Sequence, residues 1–427
     1  MKTNKALLYS ICLMLFIAAV GDSLIFPILP SLFLDEKHGL IIGKSLISRE
    51  ILYGVSFALF PLAGIIGMPV FGSLSDIFGR KKVIFIGLSL VACDYLINIL
   101  ALIIHNIWLF LFCQIFIGFL SGIQSVSSAL ISDISKNDKE LISNFKLPNL
   151  VMILGFILGP SFSILVTNSH PLSFTIPFII AFILSIINLI ILIIIFKKVH
   201  YINSTNELQR KDIHFSIQLR IVYKNILENI FYMFTNKRIS PLAYSYLFFK
   251  FGLLLFMQSL SLYLAVTFND HPYQISMFFI MMTTSLTVGM YVLQSRVSRF
   301  FEKILQLKLG LGIVITILFM GAVVIKFNQN IAINYYNHLI IIMCGLIYLT
   351  IPLITLNFIG LFNKLSNGKD KGKIMGGMGQ LTALATFASA IFIGKLAYKN
   401  EWLVFTLSGL VIVISYWLFK KNIQITD

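Results

Sequence analysis

The sequence predicts an all-α membrane protein with twelve transmembrane helices in two six-helix pseudo-repeats. Three observations lead there. Of 427 residues, 58% are hydrophobic and only 12% are charged, against about 25% charged in a typical soluble domain. Twelve apolar runs are long enough to cross about 30 Å of hydrocarbon, which takes about 20 residues of helix. The Lys and Arg residues fall mostly in alternate loops between those runs.

The runs lie near residues 6–30, 51–73, 83–104, 107–131, 147–167, 174–196, 240–266, 274–293, 305–325, 334–361, 374–394 and 402–419. The first is too long for a signal-peptide core, contains Asp22, Pro27 and Pro30 and lacks an A-x-A pattern, so it reads as a retained helix. The long polar connection after the sixth run divides the chain into an N-terminal six-helix bundle (1–196), a cytoplasmic central loop (197–239) and a C-terminal six-helix bundle (240–427). Within that loop, Glu207 to Glu228 mixes apolar and charged residues and reads equally as an amphipathic surface helix or a linker. Counted by alternate loops, 26 of the 33 Lys and Arg lie on the side of the N-terminus and six on the other, with Lys250 inside a run. This positive-inside pattern predicts that both termini are cytoplasmic. The net charge of +16 therefore reports topology and not affinity for nucleic acid. Cys12, Cys93, Cys113 and Cys344 all lie in apolar runs without paired or metal-ligand spacing and read as small packing residues. The sequon Asn203-Ser204-Thr205 falls in the cytoplasmic loop and is discounted. The sequence offers no metal cluster, nucleophile motif or G-x-x-x-x-G-K-(S/T) loop, so no cofactor, ATP motor or enzyme is expected. High Ile, Lys and Asn content with short loops suggests a bacterial origin.

Between the second and third runs lies Gly72-Ser73-Leu74-Ser75-Asp76-Ile77-Phe78-Gly79-Arg80-Lys81-Lys82. Its glycines predict a sharp turn, and Asp76 with Arg80 forms a charge latch that can open. The stretch resembles the loop between helices 2 and 3 of the major facilitator superfamily, G-x-L-S-D-x-x-G-R-(K/R). That resemblance implies a secondary transporter of the major facilitator fold, in which Asp76 helps close the cytoplasmic side when the transporter faces outward. Ser132-Asp133-Ile134-Ser135, with Asn144-Phe145 soon after, resembles the A-D-I-T segment of the tetracycline-efflux branch and implies that Asp133 is a second latch acid. Gly155-Phe156-Ile157-Leu158-Gly159-Pro160 resembles the G-x-x-x-G-P antiporter motif, with Ser163 where the family usually continues with glycine. Two glycines four apart let a neighbouring helix approach closely, and Pro160 permits a bend; the resemblance implies proton-driven efflux. In the fourth run, Gln114 stands four residues before Gly118, where drug exporters carry arginine. No cationic coupling residue is expected there. Leu74 to Arg80 echoes as Val297-Ser298-Arg299-Phe300-Phe301-Glu302-Lys303 at an offset of 223, keeping Ser, Phe and the final base. With six-plus-six topology this supports two parallel repeats.

Asp22, Asp94 and Lys250 are the only Asp, Glu, Lys or Arg deep in apolar runs. Each costs at least about 2.5–3.5 kcal/mol at the centre of an isolated membrane helix. The segment Gly21 to Pro30 resembles the proline-rich end of helix 1 in drug and tetracycline exporters. In that fold helices 1, 4, 7 and 10 line a central cavity. The resemblance therefore implies that Asp22 and Lys250 share it, with Asp22 the leading proton site and Lys250 its partner or an anion contact. The bland alternatives are a static capping acid at Asp22 and a lysine snorkelling to the interface. Asp94, on the peripheral third helix, is expected to bond a neighbouring hydroxyl or amide. Gln114, Gln124, Gln258, Asn357 and Gln380 read as cavity hydrogen-bonding residues or, equally, as helix-joining ones. Tyr246, four residues before Lys250, shares its face. The reading is a monomeric transporter of a bacterial inner membrane, working by alternating access, that expels a small organic molecule or drug in exchange for protons. The alternative is an importer or exporter of an anionic or zwitterionic metabolite, such as a carboxylate siderophore, which Lys250 would suit.

Overall fold

The computed structural model describes residues 2–25, 27–35, 39–41, 48–135, 138–163, 174–198, 224, 228–267, 272–328, 335–365, 371–396 and 401–422. Residues 199–223 and 225–227 of the expected central loop, with nearly all of its amphipathic segment and with its sequon, lie outside the described residues.

Hydrocarbon cannot hydrogen-bond a peptide group, so a spanning chain satisfies its own backbone as helix. The described spans are α1 (Lys2–Leu24) with the short α2 (Leu29–Leu34), α3 (Arg49–Phe78), α4 (Arg80–Ile103), α5 (Ile107–Leu120) with α6 (Ile123–Asp133), α7 (Asp138–Ser163) and α8 (Ile176–Lys198). They continue as α9 (Ser240–Thr267), α10 (Pro272–Val288) with α11 (Gln294–Val297), α12 (Lys303–Asn328), α13 (Tyr335–Leu365), α14 (Lys371–Leu396) and α15 (Glu401–Asn422). Among the described residues, eleven of these stretches are long and apolar enough to cross a membrane. The twelfth is α7, whose apolar part is only Leu150–Phe162 because charged and polar residues fill its first turns. The fold is the twelve-helix arrangement expected.

Three helices differ from simple rods. The first run ends at Leu24, and the chain turns before Pro27 into α2; proline supplies no N–H to continue the ladder. The fourth is broken at Ser121–Gly122, where Gly122 N–H bonds Phe119 O at 3.3 Å, a residue short of the regular partner. Glycine–serine pairs are a known cause of such kinks. Between α10 and α11, Gly289–Leu293 forms a π-turn. The turn after α3 is also tighter than the sequence suggests. Gly72 lies inside α3, which runs on to Phe78, so Gly79 alone makes the turn, at φ 88° and ψ 142°. Residues with a Cβ avoid that conformation.

The described helices form two compact units. The first holds α1–α8 without the opening turns of α3, plus Pro272–Ser276 of α10. Its core runs through Leu7, Ile11, Met14, Phe71, Ile84, Leu88, Val126, Leu130 and Leu192. Helix α8 shows why its faces sort: Ile183, Ile187, Ile190 and Ile194 are exposed in a lipid-facing stripe, while Ala181, Ser185, Asn188 and Leu192 are buried. Helix α3 meets α5 almost backbone to backbone, since a Cβ on Gly67 would run into the Phe119 carbonyl and one on Gly118 into the Phe60 carbonyl. The second unit holds α9 to α15 with the opening turns of α3. Here α9 packs on α15, and Ser245 and Ser415 exchange hydroxyl-to-carbonyl bonds of 2.9 and 2.7 Å.

These contacts separate two glycines of α3. Gly67→Ala should destabilise the detergent-solubilised protein by about 1–3 kcal/mol through overpacking. Gly72→Ala, where a new Cβ meets nothing within 4 Å, should leave the thermal midpoint unchanged or slightly raised. Equal midpoints for the two variants would contradict the close α3–α5 contact.

Candidate functional site

Two polar features sit at helix ends, one in each unit. In the first, Arg80 opens α4 and reaches both expected latch acids. Its Nη1 lies 2.6 Å from Asp76 Oδ1, and its Nε donates to Asp133 Oδ2 at 3.2 Å. The Ser75 hydroxyl accepts a further bond from Nη1. Arg80 is 16% exposed, Asp133 26% and Asp76 62%. The cluster joins the end of α3, the start of α4 and the end of α6. Asn144 of α7 adds a fourth helix, donating to Ser135 Oγ at 2.9 Å.

The equivalent region of the second unit holds amides in place of charges. Gln306 Oε1 of α12 accepts from Gln294 Nε2 of α11 at 3.2 Å and from Asn357 Nδ2 of α13 at 2.9 Å. Gln306 Nε2 donates to the Phe301 carbonyl at 2.6 Å. Lys303, the counterpart of Arg80 by the 223-residue offset, lies along Gly360 of α13. Asn357 thus joins three helices through Gln306, and also donates to its own Leu353 carbonyl at 2.6 Å.

Asp22 is half-buried on α1 and borders a cavity of about 40 Å³ inside the first unit. Its polar lining is Asp22, Tyr95 of α4, Ser121 and Gln124 at the α5–α6 break, and Ser185 and Asn188 of α8. Asn188 is 0% exposed, and neither its Oδ1 nor its Nδ2 has a hydrogen-bond partner. The neighbouring Gly21 makes room for Tyr95: any Cβ there would collide with the phenolic oxygen. On the other side of α1, a Cβ on Gly155 would come 2.7 Å from Ala19 Cβ, and Gly159 gives space to the Ser23 hydroxyl. Pro160 is buried beside Gly159. Asp94 is buried one residue before Tyr95 and accepts from Asn98 Nδ2 at 2.9 Å. Gln114 is buried on α5 and does not border the cavity.

In the second unit, Tyr246, Lys250, Gln258 and Gln380 gather on α9 and α14. The Tyr246 hydroxyl bonds Thr382 Oγ1 at 2.9 Å. Lys250 Nζ lies 5.6 Å from the Tyr246 ring centre and 5.9 Å from that of Phe249. Within this unit, no carboxylate pairs with it among the described residues. Gln258 accepts from Ser389 Oγ at 3.2 Å and donates to the Thr386 carbonyl at 3.4 Å, while its own carbonyl accepts from Tyr53 Oη at 3.3 Å. Gln380 is buried with its Oε1 unpartnered.

Asn188, Ser185, Thr382, Thr386 and Ser389 escaped the sequence reading. For the first two a signal existed: they are the only polar side chains between Ile176 and Phe196, spaced i, i+3 on one helix face. The hydroxyls of α14 had none, since Ser and Thr commonly bond their own helix, as Thr386 does to the Thr382 carbonyl at 2.8 Å.

These features define a helical membrane protein built of two compact bundles. Residues 11–360 match the Major Facilitator Superfamily, and the chain belongs to that family. It is 32% identical over 160 residues to the class C tetracycline resistance protein of Escherichia coli, which is 38% of this chain and 37% of that protein. The matched segment thus spans little more than a third of that relative. A peptide transporter solved with alafosfalin has the same fold at TM-score 0.71 and 16% identity, covering 98% of this chain and 94% of its own. A human organic anion transporter follows at TM-score 0.65 and 16% identity, covering 97% and 99%.

The Arg80 cluster gives an ordered expectation. Arg80→Ala releases both carboxylates and should lower the thermal midpoint more than Asp133→Asn, and that more than Asp76→Asn, each pair contributing about 0.2–1 kcal/mol. In 1 M salt, where screening acts over about 3 Å, the three midpoints should converge. A salt-independent spread would mean that the cluster holds by packing and not by charge.

Proposed function

We propose that the chain expels a small organic molecule across a bacterial inner membrane in exchange for protons, with Asp22 the carboxylate that carries the proton. The carrying observation is the setting of Asp22. It stands on a membrane-spanning helix, borders a mostly apolar cavity into which a few polar side chains are set, and has no cation beside it among the described residues of its unit. A carboxylate in a membrane is stabilised by a partner, by water or by taking up a proton. The proton is the one of these that a transporter can carry down a gradient. The partial likeness to a tetracycline resistance protein and the Gly155–Gly159–Pro160 motif support the same direction. Alternating access would expose the substrate site to each side in turn. The Arg80 cluster, partly exposed and held by ion pairs, is suited to opening and closing in that cycle. Both termini lie in the cytoplasm on this reading, and one chain is the working unit.

A second reading rests on Lys250. Its ammonium meets aromatic faces and no carboxylate in its own unit, so it keeps the capacity to bind an anion. An anionic or zwitterionic metabolite would then be the cargo, with Tyr246, Gln258 and Gln380 as its hydrogen-bonding neighbours.

Energised inside-out vesicles separate the two. Accumulation of a neutral or cationic solute should be abolished by an uncoupler and by Asp22→Asn, with Lys250→Ala retaining more than half of it. If transport ignores both the uncoupler and Asp22→Asn, and Lys250→Ala stops anions alone, the proton-efflux reading is wrong and the anion reading replaces it.

A further inference from the structure

Asn188 poses the sharpest unanswered question in the molecule. It lies in the middle of an otherwise apolar helix, is 0% exposed, and has no partner for its carbonyl oxygen or its amide nitrogen. Buried amides are rarely left so, and in most cases ordered water or an ion completes them. Asn188 borders the cavity that Asp22 borders. The chain is also interrupted at the wall of that cavity, where Ser121 caps the end of α5 and Gln124 is the second residue of α6.

The size of the space limits its occupant. A single water needs roughly 10–15 Å³ of such volume, so about 40 Å³ takes on the order of three water-sized centres. Organic ligand pockets are larger, at about 300–1,000 Å³, so the transported molecule does not fit here. The chemistry limits it further. The donors are a carboxylate, two side-chain amides and hydroxyls, which are hard oxygen ligands suited to an alkali-type cation or a hydrated proton and not to a soft metal. One carboxylate balances one charge, whereas calcium sites draw on several. Water alone would complete Asn188 but would leave Asp22, when ionised, without a counter-charge.

We propose that this cavity in the N-terminal bundle is a binding site for one small hydrated monovalent cation, sodium or hydronium, held by Asp22, Gln124 and Asn188. The proposal rests on Asp22 as the coupling carboxylate and adds where its ion sits and which residues of α6 and α8 complete the site. Among the described residues, the titratable groups near Asp22 from the packed helices are Tyr95 and Asp94, both on α4. Helix α7 presents glycines to α1, and α8 presents Ser185 and Asn188 to the cavity.

The test uses the full-length protein in lipid nanodiscs. Sodium chloride replaces choline chloride at constant ionic strength while the thermal midpoint is followed. In parallel, the infrared carboxyl band of Asp22, isolated by difference from Asp22→Asn, is titrated with pH. A saturable rise in midpoint with sodium, absent in Asp22→Asn and displaced at least tenfold to higher sodium in Asn188→Leu and Gln124→Leu, assigns the site to sodium. No sodium response, with the protonation midpoint of Asp22 moved by at least one pH unit in both leucine variants, assigns it to hydronium. A wild type blind to sodium whose Asp22 titrates alike in all backgrounds overturns the proposal. Ser185→Ala, a smaller change on the same wall, serves if a leucine variant does not fold, and should move the same readout in the same direction. If the cavity proposal fails while Asp22→Asn still abolishes uncoupler-sensitive transport, the ion sits elsewhere and the efflux reading stands.

Discussion

Hydrocarbon supplies neither hydrogen bonds nor a solvating dipole, and that constraint shapes every polar position in this chain. Backbone groups are satisfied within helices. Side-chain hydroxyls mostly bond the carbonyls of the preceding turn, as Ser127 does to Ile123 at 2.9 Å and Thr283 to Phe279 at 2.8 Å. The polar groups that cannot satisfy themselves locally then stand out as joints or sites. Gln306 with Gln294 and Asn357, and Gln258 with Ser389, are joints: each amide finds partners on other helices of its own bundle. Among the described residues of their own bundles, Asn188, the Oε1 of Gln380, Asp22 and Lys250 have no such partner. A membrane protein retains such groups where binding something is worth more than packing.

The Arg80 cluster obeys a related electrostatic rule. A helix favours negative charge at its N-terminus and positive charge at its C-terminus, by about 0.3–1 kcal/mol per group. All three charges here are placed the other way: Asp76 and Asp133 in last turns, Arg80 at a first residue. Each is disfavoured alone and relieved by the others, so the cluster holds together without being deeply stable. The second unit replaces it with the Gln294–Gln306–Asn357 amides, which carry no net charge and are largely indifferent to salt. The two pseudo-repeats therefore share topology while differing in how firmly, and by what force, their helix ends are tied.

The sequence conveyed most where one residue type has one physical use. Asp76 and Arg80 were legible as a pair because charges beside apolar runs have few options, Asp133 only through the resemblance of its segment to A-D-I-T, and Gly79 because its turn admits only glycine. Gly72 misled: a glycine beside polar residues reads as turn, yet its neighbours Leu74, Ile77 and Phe78 continue the helical pattern, and α3 extends through it. The break in the fourth span was not read from the sequence: Ser121-Gly122 opens a stretch holding Gln124, Ser125, Ser127 and Ser128, yet the run as a whole is long and apolar enough to read as one span. Asn357 shows the opposite limit. From sequence an amide in a membrane helix joins helices or binds a ligand with equal ease, and only the position of Gln306, 51 residues away, distinguishes the two.

The glycine motif of α7 gains a physical meaning from the same geometry. Gly155 and Gly159 bring α7 within backbone distance of α1, and Ser23 Oγ lies 3.3 Å from the Gly155 carbonyl. On the other side of α1, Gly21 admits the Tyr95 ring. A helix gripped on two faces by contacts that tolerate no extra atom cannot rotate about its axis without a clash. Asp22 lies between Gly21 and Ser23, so both grips act within one residue of it. Its carboxylate is therefore aimed at the cavity by the absence of side chains around it as much as by any bond it makes. On this structure the Gly155–Gly159 motif fixes the orientation of the helix that carries Asp22.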